Sequence, residues 1–276
     1  MLKYITPKKV IYALKNYGLK RSFVNGFSLL VSDYHLVSFQ KSGRSWLRMM
    51  LINIFTTKYK MKKIDFDSEY MTLFSQLPNI VYSHAGCCTA NHKHMDDFIN
   101  LLERKKIILL VRDPRDDVVS LFHDHTKRNL LYDGDNISEF IRDETWGLKK
   151  IVYFLNLWAK EMKRRRDDFY LMKYEDMHKD TFRELKGLLN HLNMDVEDKY
   201  IHAAIKYGSF ENMRNIELSG KINDRRMWPG NVNDVNSYRT RKGKVGSHKG
   251  EISAEDIEFV NDYLKKNLVK VFGYTT

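Results

Sequence analysis

Four short apolar segments, each followed by a longer stretch of helical periodicity, constrain the fold most strongly. Residues 35–39, 79–83, 106–111 and 168–173 have the length and composition of buried strands. Helices are predicted over residues 45–57, 95–104, 117–125, 148–165, 179–192, 197–207 and 254–268. Strands that alternate with helices predict an α/β fold, in which a central parallel sheet is flanked by helices on both faces.

The charge of the chain is localised. Its 276 residues carry a net charge of +12, and residues 1–30 and 221–250 each contribute a net charge of +6. An excess confined to two segments points to anionic partners at discrete sites. Charge alone leaves nucleic acid, anionic lipid, acidic glycan and a phosphate-rich cofactor open. Cys87 and Cys88 are the two cysteines, and they exclude a disulfide scaffold and a CxxC zinc pair.

The N-terminal segment is basic but does not resemble a signal peptide, because lysines interrupt its apolar residues. No stretch of 18 uncharged apolar residues is present, so a cytoplasmic protein is expected. Residues 8–20 have the spacing of a basic amphipathic helix, which either packs on the domain or makes peripheral contact with an anionic membrane. The absence of linkers and repeats predicts a single domain over residues 1–276, with 1–30 as a basic extension or helix.

The turn after the first predicted strand has the features of an anion site. It reads Gln40-Lys41-Ser42-Gly43-Arg44-Ser45-Trp46 and leads into a helix. Backbone N–H groups at a helix start bind anions, Gly43 permits close approach, and Lys41 adds a positive charge. Ser45 is expected to cap the helix. The segment lacks the GxxxxGK[ST] pattern of nucleotide triphosphate loops.

The turn after the third predicted strand offers a second set of cationic groups. It reads Arg112-Asp113-Pro114-Arg115-Asp116-Asp117, and Pro114 suits the first turn of a helix. Ser120 lies two helical turns further on, toward the side of Arg112. An ion pair between Arg112 and an aspartate that merely fixes the turn is the alternative.

Together these turns resemble the cytosolic-type sulfotransferase family. QKSGRSW is similar to its 5′-phosphosulfate loop, and RDPRDDVVS to its 3′-phosphate motif. Ser83-His84, the Tyr174-Glu175-Asp176 segment, the segment from Ser209 to Met213 and the segment from Arg241 to Lys249 match further family motifs in order. The resemblance spans residues 35–250. It implies a P-loop-like three-layer fold and the sulfuryl donor 3′-phosphoadenosine 5′-phosphosulfate, which leaves as adenosine 3′,5′-bisphosphate, with no metal.

The resemblance also assigns roles to residues by motif position. It implies 5′-phosphosulfate binding by Lys41, Ser42, Gly43, Arg44, Ser45 and Trp46, and 3′-phosphate binding by Arg112, Ser120, Arg241, Lys242 and Gly243. Tyr174, Ser209, Phe210 and Met213 would line the adenosine. Residues from about 214 to 250 would form a basic loop that covers the cofactor.

In the implied mechanism His84 is the general base, because histidine titrates near neutral pH. Lys41 would stabilise the leaving phosphate, and Ser120 would hold Lys41 away until the acceptor binds. The chain departs from the family pattern at Gln40, Arg44, Tyr82 and Ser247-His248. Tyr82 stands where many members have lysine, so a second catalytic lysine is not expected.

Three other interpretations stay open at this level. The net charge fits a non-enzymatic heparin- or nucleic-acid-binding protein, although the aromatic residues are not interleaved with Lys and Arg. A nucleotide-dependent kinase would need a Walker lysine pattern. A metal site is the third alternative: His84, Cys87, Cys88, His92 and His94 crowd together, but without a strong metal-ligand spacing.

For a sulfotransferase, the acceptor hydroxyl belongs to a small alcohol or phenol, or to a glycan or lipid-linked sugar.

Overall fold

The computed structural model describes residues 32–61, 77–89, 91–220, 222 and 227–275. The strands are β1 Tyr34–Ser38, β2 Ile80–Ser83, β3 Lys106–Val111 and β4 Phe169–Lys173. The α-helices are α1 Arg44–Thr57, α2 Lys93–Leu101, α3 Pro114–His123, α4 Ile137–Arg142, α5 Leu148–Arg164, α6 Tyr174–Lys179, α7 Thr181–His191, α8 Asp198–Tyr207, α9 Phe210–Ser219 and α10 Ala254–Asn267. A π-helical turn covers Asp124–Arg128, and 3₁₀ turns cover Arg166–Asp168, Val235–Ser237 and Lys270–Phe272. The helix predicted within residues 1–30 lies outside the described residues.

The four strands form a parallel sheet in the order β2-β1-β3-β4, which confirms the predicted sheet. Val37 of β1 lies opposite Ser83 of β2 on one side and Leu109 of β3 on the other. The chain leaves β1 toward β2 and then returns to the opposite side of β1 to form β3. Ligands of open α/β sheets bind at such a reversal, beyond the carboxyl ends of the strands. This topology directs attention to the turns after β1 and β3.

Alternate residues of β3 enter two separate apolar layers. Ile107 and Leu109 pack in a cluster with residues of α3, α5 and α10, whereas Ile108 and Leu110 pack with residues of α1, α7 and α8. Successive strand side chains point to opposite faces, so this division places helices on both sides of the sheet. The expected three-layer architecture is therefore confirmed.

Several helix boundaries differ from the predictions for local reasons. Helix α3 begins at Pro114, not residue 117, because the Asp113 side chain caps it by accepting a hydrogen bond from the Arg115 N–H at 2.9 Å. Helices α4 and α6, of six residues each, are too short to show a periodic pattern. Helix α9 occupies the first part of the segment predicted as a covering loop, and it ends where Gly220 adopts a left-handed conformation (φ 60°).

Within the described part of the chain, no helix combines the length and hydrophobicity needed to cross a bilayer.

Candidate active site

A cavity of about 560 Å³ opens where the turns after β1 and β3 meet. The predicted site residues that line it are Lys41, Gly43, Arg44, Ser45, Trp46, His84, Arg112, Ser120, Tyr174, Ser209, Phe210, Met213, Arg241, Lys242 and Gly243. Ser42 lies behind the wall, where its hydroxyl donates to the Asp117 carboxylate at 2.8 Å. The fold thus gathers residues from distant parts of the sequence around one space.

The loop between β1 and α1 is compact because two of its residues are left-handed. Lys41 has φ 68° and Gly43 has φ 93°. A Cβ atom at Gly43 would lie 2.5 Å from the Tyr174 ring, so glycine permits close packing there. Gly43 is also the N-cap of α1, so the expectation that Ser45 caps this helix is wrong. The Ser45 hydroxyl instead accepts a hydrogen bond from Arg239 at 2.6 Å.

The ammonium group of Lys41 is paired with a carboxylate inside the cavity. Lys41 Nζ lies 2.9 Å from Asp124 Oδ1, in the π-helical turn that follows α3. Burial lowers the pKa of Lys41, and the Asp124 charge opposes that shift. Burial favours protonation of Asp124, but Lys41 and Arg128 hold the pKa of this carboxyl far below its usual range. Lys41 therefore pairs with Asp124 rather than with Ser120, the partner expected from the resemblance.

Arg112 is buried at the carboxyl end of β3 and lines the cavity. Its Nη1 donates to the Lys41 carbonyl at 3.2 Å, and its Nη2 donates to the Ser247 hydroxyl at 3.3 Å. The guanidinium carbon lies 4.3 Å from the Tyr174 ring centroid. Nε has no hydrogen-bond partner among the described residues. Arg112 thus adds a buried positive charge to the cavity wall.

Asp116 connects the Arg112 turn to the loop after Gly243. Its carboxylate accepts hydrogen bonds from the backbone N–H of Gly246 at 2.8 Å and of His248 at 2.9 Å, and it lies 3.5 Å from Arg112. Burial disfavours its ionised form, but the His248 hydrogen bond and Arg112 lower its pKa to about 2. The ionised Asp116 thereby holds the segment of Gly246 and His248 against Arg112 and α3. Arg112, Arg241 and Lys242 together are called the cationic wall of the cavity.

Glu251 contacts three basic side chains at the part of the cationic wall that Arg241 and Lys242 form. Its carboxylate lies 2.7 Å from Arg241, 2.7 Å from Lys242 and 2.7 Å from His123 Nε2. Burial would raise its pKa, but these hydrogen bonds lower the pKa of Glu251 to about 2. Arg241 and Lys242 are therefore positioned by an ionised carboxylate, with both side chains still lining the cavity.

Aromatic and apolar groups form the remaining wall. Trp46 and Tyr174 meet edge to face, with ring centroids 5.8 Å apart. Gly243 is left-handed (φ 58°), and a Cβ atom there would lie 2.5 Å from the Phe210 ring. Ser209 caps α9 by accepting the Asn212 N–H at 3.3 Å, and Met213 is buried one turn later. This wall suits a planar ring system.

His84 lies just beyond β2, and its ring is oriented by the backbone. Its Nδ1 lies 3.1 Å from the Ser38 carbonyl oxygen, so Nδ1 carries the proton and Nε2 keeps its lone pair. Burial lowers the pKa of His84 well below its usual value, and the positive charge of Arg44 lowers it further. His84 is thus a neutral base at the cavity wall. Tyr82, two residues earlier, does not line the cavity, and burial raises its pKa to about 12.

Several polar residues that sequence reasoning did not select also line the cavity: Cys88, Asp124, Arg128, Asn129, His178, Thr181, Arg239 and Thr240. Asp124 lies one helical turn beyond Ser120, and Arg239 lies two residues before the Arg241-Lys242-Gly243 segment. Their short distance in sequence from predicted site residues was the signal by which Asp124 and Arg239 could have been found. The contact of Arg239 with Ser45 joins residues too far apart for a local pattern to show.

Comparison with known proteins gives a consistent result over most of the chain. The family model described as "Sulfotransferase domain" matches residues 32–272. The chain is 28% identical to sulfotransferase 2A6 of Rattus norvegicus over 210 residues, which are 71% of each protein. It is 22% identical to an amine sulfotransferase of Oryctolagus cuniculus over 251 residues, 85% of this chain and 80% of that protein.

Two solved structures share the fold. The structure of mouse sulfotransferase SULT7A1 complexed with PAP aligns with a TM-score of 0.64 at 18% identity, over 97% of this chain and 91% of that one. The structure of retinol dehydratase in a complex with retinol and PAP aligns with a TM-score of 0.64 at 17% identity, over 96% of each chain.

Proposed function

This chain belongs to the sulfotransferase domain family, and we propose that it transfers a sulfuryl group from 3′-phosphoadenosine 5′-phosphosulfate to an acceptor hydroxyl. The observation that carries the proposal is the convergence of the Lys41–Trp46 loop, Arg112 and His84 on one cavity. The family membership argues against a non-enzymatic polyanion-binding protein and against a kinase.

The cationic wall fits the 3′-phosphate of this donor. Arg112 is a buried cation that lines the cavity, and an arginine in such a place forms strong, charge-assisted hydrogen bonds with phosphate oxygens. We assign the 3′-phosphate to Arg112, Ser120, Arg241, Lys242 and Gly243. Glu251 and Asp116 keep the cations in place without neutralising the whole wall.

The loop before α1 fits the 5′-phosphosulfate. Its backbone N–H groups lie at the start of a 14-residue helix, where unpaired donors and the helix dipole favour an anion. Lys41, Gly43, Arg44, Ser45 and Trp46 are assigned to this end of the donor, whereas the Ser42 hydroxyl is bonded to Asp117 behind the wall. Arg239, which touches Ser45, adds a cation that the family pattern did not predict. Trp46, Tyr174, Ser209, Phe210 and Met213 are assigned to the adenosine.

Sulfuryl transfer demands in-line positioning and stabilisation of developing charge, as phosphoryl transfer does. The donor supplies an activated sulfuryl group and a phosphate leaving group. His84 Nε2 accepts the proton of the acceptor hydroxyl, and the Ser38 carbonyl orients the ring and stabilises the imidazolium that forms. When the Lys41 ammonium has separated from Asp124, it stabilises the negative charge that develops on the oxygen of the leaving phosphate. Ser120, on the same wall, is assigned a supporting role at this lysine.

The acceptor is proposed to be a small alcohol or phenol, or a sugar hydroxyl of a glycan or lipid-linked molecule. Relatives include a protein named 3-beta-hydroxysteroid sulfotransferase and one named amine sulfotransferase, so the names of relatives span several acceptor chemistries. A ³⁵S-labelled donor offered with a panel of alcohols, phenols, amines and sugars tests the proposal. Label transferred to a hydroxyl acceptor supports it, and label transferred to amines alone contradicts the assigned acceptor group.

A further inference from the structure

We propose that His84, Cys87 and Cys88 form a binding site for a thiophilic divalent cation of the Zn²⁺ class, and that its occupancy blocks sulfuryl transfer. The inhibitory part rests on the proposed function, because it requires His84 to act as the base. Cation binding itself depends only on the three side chains.

The three side chains offer one ligand atom each in a small volume. One ring nitrogen of His84 and the two sulfur atoms all lie within 4.8 Å of one another. Tetrahedral zinc with bonds of about 2.3 Å to sulfur and 2.0–2.1 Å to nitrogen places neighbouring ligand atoms about 3.5–3.8 Å apart. Side-chain rotations of modest size therefore close the arrangement around an ion.

A tight turn holds the first two ligands together. The Cys87 N–H donates to the His84 carbonyl at 3.0 Å, and both intervening residues are left-handed, Ala85 at φ 45° and Gly86 at φ 81°. A Cβ atom at Gly86 would lie 2.5 Å from the His94 carbonyl oxygen, so the turn is packed against the start of α2. The turn therefore keeps a His84 ring nitrogen and the Cys87 sulfur close together.

The surroundings suit a histidine ligand and an open coordination position. The Ser38 carbonyl accepts a hydrogen bond from the Nδ1–H of His84, the same second contact that orients zinc-bound histidines, and this leaves Nε2 for an ion. Cys87 is buried, whereas Cys88 is exposed and lines the cavity. An ion entering from the cavity would keep its fourth position toward solvent.

The charge balance also permits a dication. Two thiolates carry two negative charges, and binding releases both thiol protons to solvent. Lys150 is buried beside this segment, where its ammonium donates to the carbonyl of Thr89, the residue after Cys88. Burial raises the pKa of the Cys87 thiol, and the Lys150 charge opposes that shift while it repels a metal ion, so only a cation that binds thiolate strongly is expected to enter. An ion on Nε2 would remove the lone pair that accepts the acceptor proton.

Cadmium titration of the full chain tests the site directly. The protein is reduced, freed of reductant without oxygen, and titrated with Cd²⁺ while the ultraviolet thiolate-to-metal absorption is followed. We expect saturation at one Cd²⁺ per chain and displacement of the band by Zn²⁺. Cys88→Ser, at an exposed position, is expected to weaken binding about tenfold or more, and Cys87→Ser similarly. His92→Ala, outside the cluster, is the matched control and is expected to bind as the parent does.

Absence of the band, or an unchanged band in the Cys88→Ser variant, would overturn the site. Zn²⁺ is further expected to stop label transfer from the donor, and a chelator to restore it. Zn²⁺ that binds without slowing transfer would overturn the inhibitory part alone. The cadmium titration needs no substrate, so it tests the metal site independently of the proposed function. If metal-free protein fails to bind adenosine 3′,5′-bisphosphate, that failure contradicts the proposed function and leaves the result for the metal site unchanged.

Discussion

The ammonium of Lys41 and the carboxylate of Asp124 form an ion pair at 2.9 Å inside the cavity. Asp124 also lies 3.3 Å from Arg128, so one carboxylate pairs with two cations that line the cavity. We infer that this pair keeps Lys41 in place in the donor-free protein. Donor binding must then compete with Asp124 for the lysine.

Asp124→Asn removes that competing charge while nearly conserving side-chain shape. We expect the affinity for adenosine 3′,5′-bisphosphate to rise by roughly threefold to tenfold, about 1 kcal/mol, because a negative charge leaves an anion site. Calorimetric titration measures the change. Asp262→Asn, which alters only an exposed pair with Lys266, is the control. Weaker binding by Asp124→Asn would show that Asp124 assists the donor site.

Arg112→Ala is expected to weaken binding of adenosine 3′,5′-bisphosphate by about tenfold to a hundredfold. The reason is the loss of charge-assisted hydrogen bonds to the 3′-phosphate, worth about 1.5–3 kcal/mol. Arg112→Lys keeps the charge and is expected to recover part of the loss. Arg115→Ala is the control, since Arg115 contacts Asp113 and Asn261 and does not line the cavity. Equal affinity in the Arg112→Ala and Arg115→Ala variants would refute the 3′-phosphate assignment.

The acid stability of the protein should depend on Glu251. Its folded pKa is about 2 and its ordinary value is 4.5, so its ion pairs contribute stability above pH 4.5 that is lost as the pH falls toward 2. Glu251→Gln is expected to lower the free energy of unfolding at pH 7 by about 1–2 kcal/mol, because solvent screens part of the interaction of Glu251 with its basic neighbours. The free energy of unfolding of this variant should also fall less than that of the parent between pH 4.5 and 2. Thermal melts across that range give both quantities. Glu258→Gln, on the exposed face of α10, is the control, and a variant curve parallel to the parent curve would exclude the Glu251 contribution.

His84→Ala is expected to reduce sulfuryl transfer by about a hundredfold to ten-thousandfold, because the acceptor proton loses its base. The affinity for adenosine 3′,5′-bisphosphate should stay within about threefold, since no donor contact is assigned to His84. Both assays contain a chelator, so that metal binding does not contribute. His202→Ala, an exposed histidine stacked on Phe182, is the control. Parent-like turnover in His84→Ala would remove His84 from the mechanism.

The sheet and most of the cavity wall were predictable from the sequence for physical reasons. Buried parallel strands read as apolar runs such as 106–111, and parallel strands place their carboxyl ends at one edge. The turns that begin at Gln40 and Arg112 could therefore be expected to meet, as they do.

The interior charge pairing of the cavity was not predictable in the same way. The Lys41–Asp124 pair depends on a π-helical turn, which has no periodic signal, and Asp124 reads as one more polar residue of a helix. The Arg239–Ser45 and Arg241–Glu251 contacts depend on where an irregular segment folds back. Such contacts are decided by tertiary packing and not by local propensity.

The central claim is that this cavity recognises a nucleotide by its 3′-phosphate together with its 5′-phosphate. Calorimetric titration of the parent protein with adenosine 3′,5′-bisphosphate, and separately with ATP, tests it most directly. We predict one molecule of the bisphosphate bound per chain, at least about tenfold tighter than ATP, a difference of about 1.4 kcal/mol. Binding of ATP with equal or higher affinity, or no binding of the bisphosphate, would contradict it.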